Sequence, residues 1–316
     1  MAVTLAQAKL NVTDDLQLGI IDEFAKSSFL MNNIPFDQCV SPVGGGATLT
    51  YGYTRLITQP TAAFRAVNSE YTPGEVQKQR YTTDLKVFGG AFEIDRVIAN
   101  MGGIADEVAL QSAQKVKAAS ALFADTIING NSSTDANVFD GLDVAVTGSD
   151  TEYNAGAAID LSTSELVTAN YMSFLDMLDE FLSALDGTPD ALLMNSKMAA
   201  KMRAVARRAG MYQVTKNNFG QQVEYYGAIP FVDLGAKAGS NDPIVGISGG
   251  NTSIYAVRFG LDGFHAISMA GEAPVKIWLP DFKTAGAVKK GEVEMIAGCA
   301  LKSTKAAGVF RNIKVQ

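Results

Sequence analysis

Two arms set the reading of the chain: Thr48-Leu-Thr-Tyr-Gly-Tyr-Thr-Arg-Leu-Ile-Thr58 and Tyr81-Thr-Thr-Asp-Leu-Lys-Val-Phe88. Both are rich in Tyr and Thr, which favour strands, and the segment between them carries Pro60 and the turn-forming pair Pro73-Gly74. A hairpin with arms of about 20 residues at ~3.3 Å each would reach up to ~60 Å, well past the ~20 Å radius of gyration of a compact chain this size. An isolated two-stranded ribbon is marginal in water, so a hairpin that long is expected to rest on another molecule. Two strands inside an ordinary sheet fit the same alternation.

Downstream, the second arm runs through Phe88-Gly-Gly-Ala-Phe-Glu-Ile-Asp-Arg-Val97 into a helical pattern. Ala109, Ala113, Val116, Ser120, Phe123 and Ile127 recur there at steps of three and four, which predicts one buried face. A helix from Gly103 to Ile128 would be roughly 39 Å long, far above the average, so something large must lean on it. It closes at Asn129-Gly130, where Gly130 suits a left-handed C-terminal position.

Upstream, Leu16 to Ala25 is a short amphipathic pattern between extended arms, and Gly44 to Gly46 opens the hairpin. Beyond the long helix, 131–160 is polar and reads as loop, with Val138-Phe-Asp-Gly-Leu142 as a tether pinned to a core. From about Leu161 a second lobe begins. Ser162 or Ser164 is expected to cap a helix through Leu182, Ala191 to Met194 reads as a buried strand, and Ser196 as the cap of a helix over Lys197–Ala209. Three stretches beginning at Tyr225, Pro243 and Ser253 are strand-like, giving helices on a small mixed sheet. Two final strands, Glu292 onward and Ala306 onward, are expected to return to the sheet flanking the long helix.

The composition suits a turn-rich globular protein: 316 residues, 47% hydrophobic, 19% charged, 30 glycines. A net charge of −7 argues against a protein that coats nucleic acid by neutralising phosphates. The sequence shows neither an export signal nor a run of 18 apolar residues, and Cys39 and Cys299 read as reduced thiols without a metal or redox spacing. The Asn-x-Ser/Thr triplets at Asn11, Asn131 and Asn251 read as chance matches.

Catalytic signatures are sparse. Gly246-Ile-Ser-Gly-Gly250 matches a nucleophile elbow, with Asp262 and His265 coming after it in the order of a triad. The segment after Ser248 reads as a turn and a strand, whereas an elbow needs a helix there to supply oxyanion donors. His265 is the only histidine, which leaves multi-histidine metal binding no place, and no phosphate-binding glycine motif opens a helix. No catalytic residue, cofactor or metal is therefore expected. The most basic stretch, Lys197, Lys201, Arg203, Arg207 and Arg208, reads as a solvated helix face or a subunit contact.

The order of parts, with Phe88 to Val97 entering a long helix and the ending Gly308-Val-Phe-Arg-Asn-Ile-Lys-Val315, resembles the major capsid proteins of tailed bacteriophages with the Hong Kong 97-like fold. The resemblance implies an α+β chain divided into an N-terminal arm (1–44), an extended loop (45–88), a peripheral domain with the spine helix (89–160 and 285–316) and an axial domain (161–284). It implies that the loop lies across a neighbouring subunit, that many copies form pentamers and hexamers of an icosahedral virion shell around double-stranded DNA, and that assembly takes place in the host bacterial cytoplasm. Arg55, Arg65, Tyr71, Lys78, Arg80, Arg203 and Arg207 are the expected inter-subunit contacts. A portal, a separate scaffolding protein and a decoration protein are the further expected partners, and no membrane is. The scaffolding expectation comes from an arm that begins almost at Met1. Some shells of the family join a loop lysine to a neighbour's asparagine beside a glutamate. Lys78 suits the amine, but Met295 to Leu301 holds no carboxylate and Ala285 to Lys290 no asparagine, so non-covalent closure is expected despite Glu292 and Glu294 nearby. The alternatives are an encapsulin-like nanocompartment and a serine hydrolase using Ser248.

Overall fold

The computed structural model describes residues 29–41, 48–100, 107–216 and 222–316. The helix expected at Leu16–Ala25, the glycines at 44–46 and the start of the long helix at Gly103 lie outside them. The chain runs α1 (Phe29–Asn33), β1 (Phe36–Val40), β2 (Thr50–Leu56), β3 (Lys78–Asp84), β4 (Lys86–Asp95), α2 (Arg96–Ala99), the spine helix α3 (Glu107–Asn129), α4 (Leu142–Val146), β5 (Glu152–Asp160), α5 (Ser164–Ser183) and β6 (Ala191–Met194). It continues through α6 (Ser196–Arg208), β7 (Gln213–Lys216), β8 (Gln222–Tyr226), β9 (Ile229–Asp233), β10 (Asn251–Val257), β11 (Phe264–Met269), β12 (Val275–Trp278), β13 (Val288–Leu301) and β14 (Ala307–Lys314).

These strands make three sheets: seven strands in the order β5-β14-β10-β6-β9-β8-β7, five in which β13 joins β11, β12 and β4 with β1 beyond β11, and the pair β2-β3 alone. The seven-stranded sheet is buried on both faces. Leu192 and Met194 pack with Ile254, Ala256 and Phe310 against Phe174, Leu178, Met198 and Met202 of α5 and α6. Their neighbours Ala191 and Leu193 point the other way, into a core shared by Val257 and Val309, the spine-helix residues Phe123 and Ile127, and Ala266, Met295 and Ala297 of the five-stranded sheet. Strands have a side-chain period of two, so a strand buried on both faces reads as an unbroken apolar run, which is why Ala191-Leu-Leu-Met194 shows no alternation.

Phe123 is the hub of this core. It has no exposed surface, stacks with Phe88 at 5.9 Å and Phe36 at 6.0 Å, and meets Phe139 at a tilt at 6.1 Å between ring centroids. The buried stripe of α3 includes Ser112, Ala119, Phe123 and Ile127. The expected face was correct from Phe123 onward but about one position off before it: Ala109 and Ala113 are exposed, and Val116 and Ser120 only half-buried. An alanine methyl carries too little area to set a helix's rotation. Ser112 tolerates burial because its Oγ donates to the Val108 carbonyl at 2.7 Å, inside the helix.

Contrary to the expectation from its place after the helix, Gly130 is not left-handed, since its φ is not positive. Its requirement is proximity, since a Cβ there would lie 2.2 Å from the Phe139 carbonyl oxygen. The tether is as expected, with Phe139 and Leu142 buried. The rest of 131–160 is not all loop: it forms α4 and β5, and β5 pairs in parallel with β14 despite its polar composition. Tertiary pairing overrides propensity there.

Both helix caps sit one residue from the serines expected to provide them. Thr163 Oγ1 accepts from Leu166 N at 3.3 Å, and Asn195 Oδ1 from Met198 N at 2.8 Å. Asn195 is favoured over Ser196 because its amide also donates to the Val245 carbonyl and to Thr252 Oγ1 within the core. Pro243–Ile247 is not a strand, and only Pro243 bridges, to Ala236. Of the two final strands, β13 joins the sheet beneath the spine helix as expected, whereas β14 inserts between β5 and β10 of the seven-stranded sheet. β11 and β12, from within 161–284, hydrogen-bond in the sheet of β4 and β13.

Candidate assembly interface

The ribbon β2-β3 settles the two readings of the Tyr-rich arms, because it pairs with neither large sheet. Its antiparallel ladder runs from Thr50 opposite Asp84 to Leu56 opposite Lys78, 7 residues in each arm, or about 24 Å. That is shorter than the reach expected from the arms; from Ile57 to Gln77 the chain has no regular structure.

One face of the ribbon's root rests on its own chain, in the period of two that the pleat imposes. Tyr51 Oη donates to Asp37 Oδ2 at 2.9 Å, and Tyr53 Oη to the Leu301 carbonyl at 3.0 Å. Arg55 donates from Nε to the Lys302 carbonyl at 2.7 Å and also to the Leu301 carbonyl. Tyr53 and its cross-strand partner Tyr81 stack at 5.8 Å, and the Arg55 guanidinium lies 4.3 Å from the Tyr81 ring centroid. These rings and carbonyls seat the ribbon on the C-terminal end of β13. Burial raises the Tyr51 and Tyr53 phenols above their usual range, so both remain donors at neutral pH.

Past the root the ribbon has nothing beneath it. Every residue from 56 to 80 is exposed, including Phe64, Val67 at 89%, Leu56 at 67% and Tyr71 at 62%. The tip is nevertheless shaped. Asn68 takes a left-handed φ of 68°, Ser69 N donates to the Ala66 carbonyl at 3.2 Å, and Arg65 Nη1 donates to the Ser69 carbonyl at 3.1 Å while its guanidinium lies 5.3 Å from the Tyr71 ring centroid. The turn thus presents apolar side chains that its own subunit leaves uncovered.

The residues expected at subunit contacts fall in two places. Arg65, Tyr71, Lys78 and Arg80 are exposed along the outer ribbon and excursion, while Arg55 is turned onto its own chain at the root. Arg203 and Arg207 lie on α6, away from the ribbon; Arg203 Nε pairs with Glu224 at 2.7 Å and Arg207 is exposed. Much of that helix's charge is used internally, Lys201 donating to the Ser162 carbonyl and Arg208 to Ser164 and Thr168. Phe64 and Val67 were missed by the sequence reading. Their signal was an apolar side chain inside a stretch too proline- and glycine-punctuated to form a core element.

The triad geometry is absent. Ser248 bridges Asn251 in the tight turn before β10, with no helix after it, and neither ring nitrogen of the buried His265 has a hydrogen-bond partner. Among the described residues no group of three or more His, Cys, Asp or Glu side chains is placed to hold a metal ion. Among them, too, no helix is long and apolar enough to cross a membrane. Cys39 is exposed and Cys299 buried, and both are free.

An α+β body of two sheets around a spine helix, with a self-standing ribbon, defines the Hong Kong 97-like capsid fold, and solved structures agree. The chain is similar to the SrpI encapsulin of Synechococcus elongatus, with TM-score 0.66 and 15% identity over 99% of this chain and 97% of that one. It is also similar to the capsid of a native GTA particle, with TM-score 0.63 and 14% identity over 98% and 97%. A structure from Mycobacterium phage Bobi gives TM-score 0.60 and 12% identity over 100% and 99%. No protein-family model matches the sequence, and comparison with curated proteins finds no match.

Proposed function

We propose that the chain is a shell-forming major capsid protein of a tailed bacteriophage, assembling into pentamers and hexamers of an icosahedral shell around double-stranded DNA. The observation that carries this is the ribbon and its excursion, which project apolar side chains that the parent subunit leaves uncovered, on a fold whose solved examples include capsids. In the assembled shell, 57–77 lies over a neighbour, with Arg65, Tyr71, Lys78 and Arg80 at the contact. Arg203 and Arg207 meet a neighbour through α6. The role is structural rather than enzymatic, and the net charge of −7 suits an inner wall along which DNA slides. A portal, a scaffolding protein and a decoration protein complete the assembly, which takes place in the host cytoplasm. The test is negative-stain microscopy of the purified protein with nuclease digestion of particles from the native source. Closed shells protecting long double-stranded DNA are expected, and a monomer at high concentration would overturn the reading.

The encapsulin-like nanocompartment is the second reading, favoured by the TM-score of 0.66 to an encapsulin over almost the whole chain. Closed shells with a protein cargo and no nucleic acid would select it.

A further inference from the structure

Under the ribbon root lies a group that shell assembly does not use. His265, in β11, is completely buried, and neither ring nitrogen makes a hydrogen bond of good geometry, although the Gly263 backbone faces the ring. Buried polar groups are nearly always paired, so an orphaned imidazole calls for a reason. It shares its face of β11 with Ile267 and Met269, which pack on Val40, Tyr51 and Ala300, and it meets the Tyr51 ring edge-on at 5.8 Å.

One carboxylate oxygen organises this site. Asp37 Oδ2 accepts from Tyr51 Oη at 2.9 Å, stands 3.8 Å from Lys302 Nζ and stands 3.9 Å from His265 Nε2. Lys302 Nζ also lies 5.5 Å from the Tyr51 ring centroid. The groups around the imidazole are thus Asp37 on β1, Tyr51 on β2, Lys302 just past β13, and Asp262 on the turn before β11, with the Cys39 thiol facing Asp37 from β1. While His265 is neutral, Asp37 is free to hold Tyr51 and so to seat the inner end of the ribbon. An added proton puts a second cation beside Lys302, on a ring that is itself fully buried although Asp37 and Lys302 reach solvent. The nearest anion able to balance it is Asp37, and an approach of about 1 Å would turn the 3.9 Å separation into a charge-assisted hydrogen bond.

We propose that His265 is a proton-operated latch on the ribbon root: neutral, it leaves Tyr51 bonded to Asp37, and protonated, it draws the Asp37 carboxylate across the 3.9 Å gap and away from Tyr51 Oη, which frees the inner end of the ribbon to pivot. Tyr53 and Arg55 stay attached to the end of β13, so mild acid redirects the ribbon and its excursion rather than unfolding the chain. Burial first, and Lys302 next, hold the imidazole below its ordinary value of 6.5, with Asp37 opposing. The folded chain therefore keeps His265 neutral. Its contribution to the seated root is present above pH 6.5 and is lost as the pH falls through the lower folded value. The latch lies within one subunit, so it stands whether or not the shell reading does.

Because the chain has a single histidine, its titration can be isolated. Hydrogen exchange with mass spectrometry on the full protein, corrected for intrinsic rates and matched for assembly state by sedimentation, is compared at about pH 7.5 and about pH 5. Peptides of β2 and β3 are expected to lose protection at least about tenfold on acidification while those of β10 and β14 keep theirs. His265→Gln should remove the step. Tyr51→Phe, which deletes only the hydroxyl, should give the loosened root already at the higher pH, and it serves if the glutamine variant fails to fold. A step that survives His265→Gln, an absent step in the wild type, a parallel loss across all strands, or a Tyr51→Phe root as protected as the wild type would each overturn the latch.

Discussion

The aromatic core around Phe123 and the excursion at 57–77 are built from the same kinds of residue with opposite outcomes. Phe123 meets three other rings and no solvent; Phe64 meets water on all sides. Hydrophobic burial is the main favourable term in both folding and association, so apolar area left uncovered in one subunit is held over for the next. The core is complete in a single chain, and on the proposed function the excursion is half of an interface.

The largest test of that contrast removes the excursion. Deleting 58–79 should abolish closed shells while leaving far-UV circular dichroism and the thermal midpoint of the two sheets nearly unchanged; normal shells from the shortened chain would erase the distinction. The reverse experiment is Phe123→Ala, expected to cost about 3–5 kcal/mol by the cavity it leaves. Chemical denaturation measures it, and an unshifted midpoint would mean that the ring is not the hub. Between these, Phe64→Ser should leave the subunit's stability unchanged and weaken association by about 2 kcal/mol if the side chain anchors in a neighbour's pocket. Sedimentation over a concentration series reads that difference. Shells are also expected to be held without covalent links, so a reducing denaturing gel should show the 33.4 kDa chain alone and no ladder.

The smallest expected effect lies at the far end of β14. The Lys314 ammonium, 2.8 Å away, together with hydrogen bonds from Ser162, lowers the Asp160 carboxyl to about 2. A lowered carboxylate adds stability above its ordinary value of 3.8 that is lost as the pH falls through about 2. Lys314→Met should move the acid unfolding transition slightly upward in pH and leave the neutral midpoint almost unaltered, because the pair is partly solvated and screened.

Much of this fold was legible in the chain because local chemistry recurs at the period of the element it builds. The Tyr and Thr alternation of 50–56 and 78–84, the steps that bring Phe123 and Ile127 to one face, and the unbroken apolar run at 191–194 each named an element and its environment. The choices left open in the sequence were those between near-equal local options. Thr163 became a cap while Ser162 Oγ donates to Asp160 and Ser164 Oγ accepts from Arg208, and Asn195 rather than Ser196 because its amide also finds Val245 and Thr252 in the core. Ala109 and Ala113 could lie on either side of the spine helix, since a methyl group carries too little area to decide. β14 joined the seven-stranded sheet because its two faces fit two cores, a fact held by Phe310 and Val309 together rather than by either alone. The ribbon's anchorage on the Leu301 and Lys302 carbonyls and the unpaired imidazole beneath it were invisible for the same reason: residues some 250 positions apart meet there. Periodicity is written along the chain, and the pairing of its distant parts is decided only when the sheets close around one another.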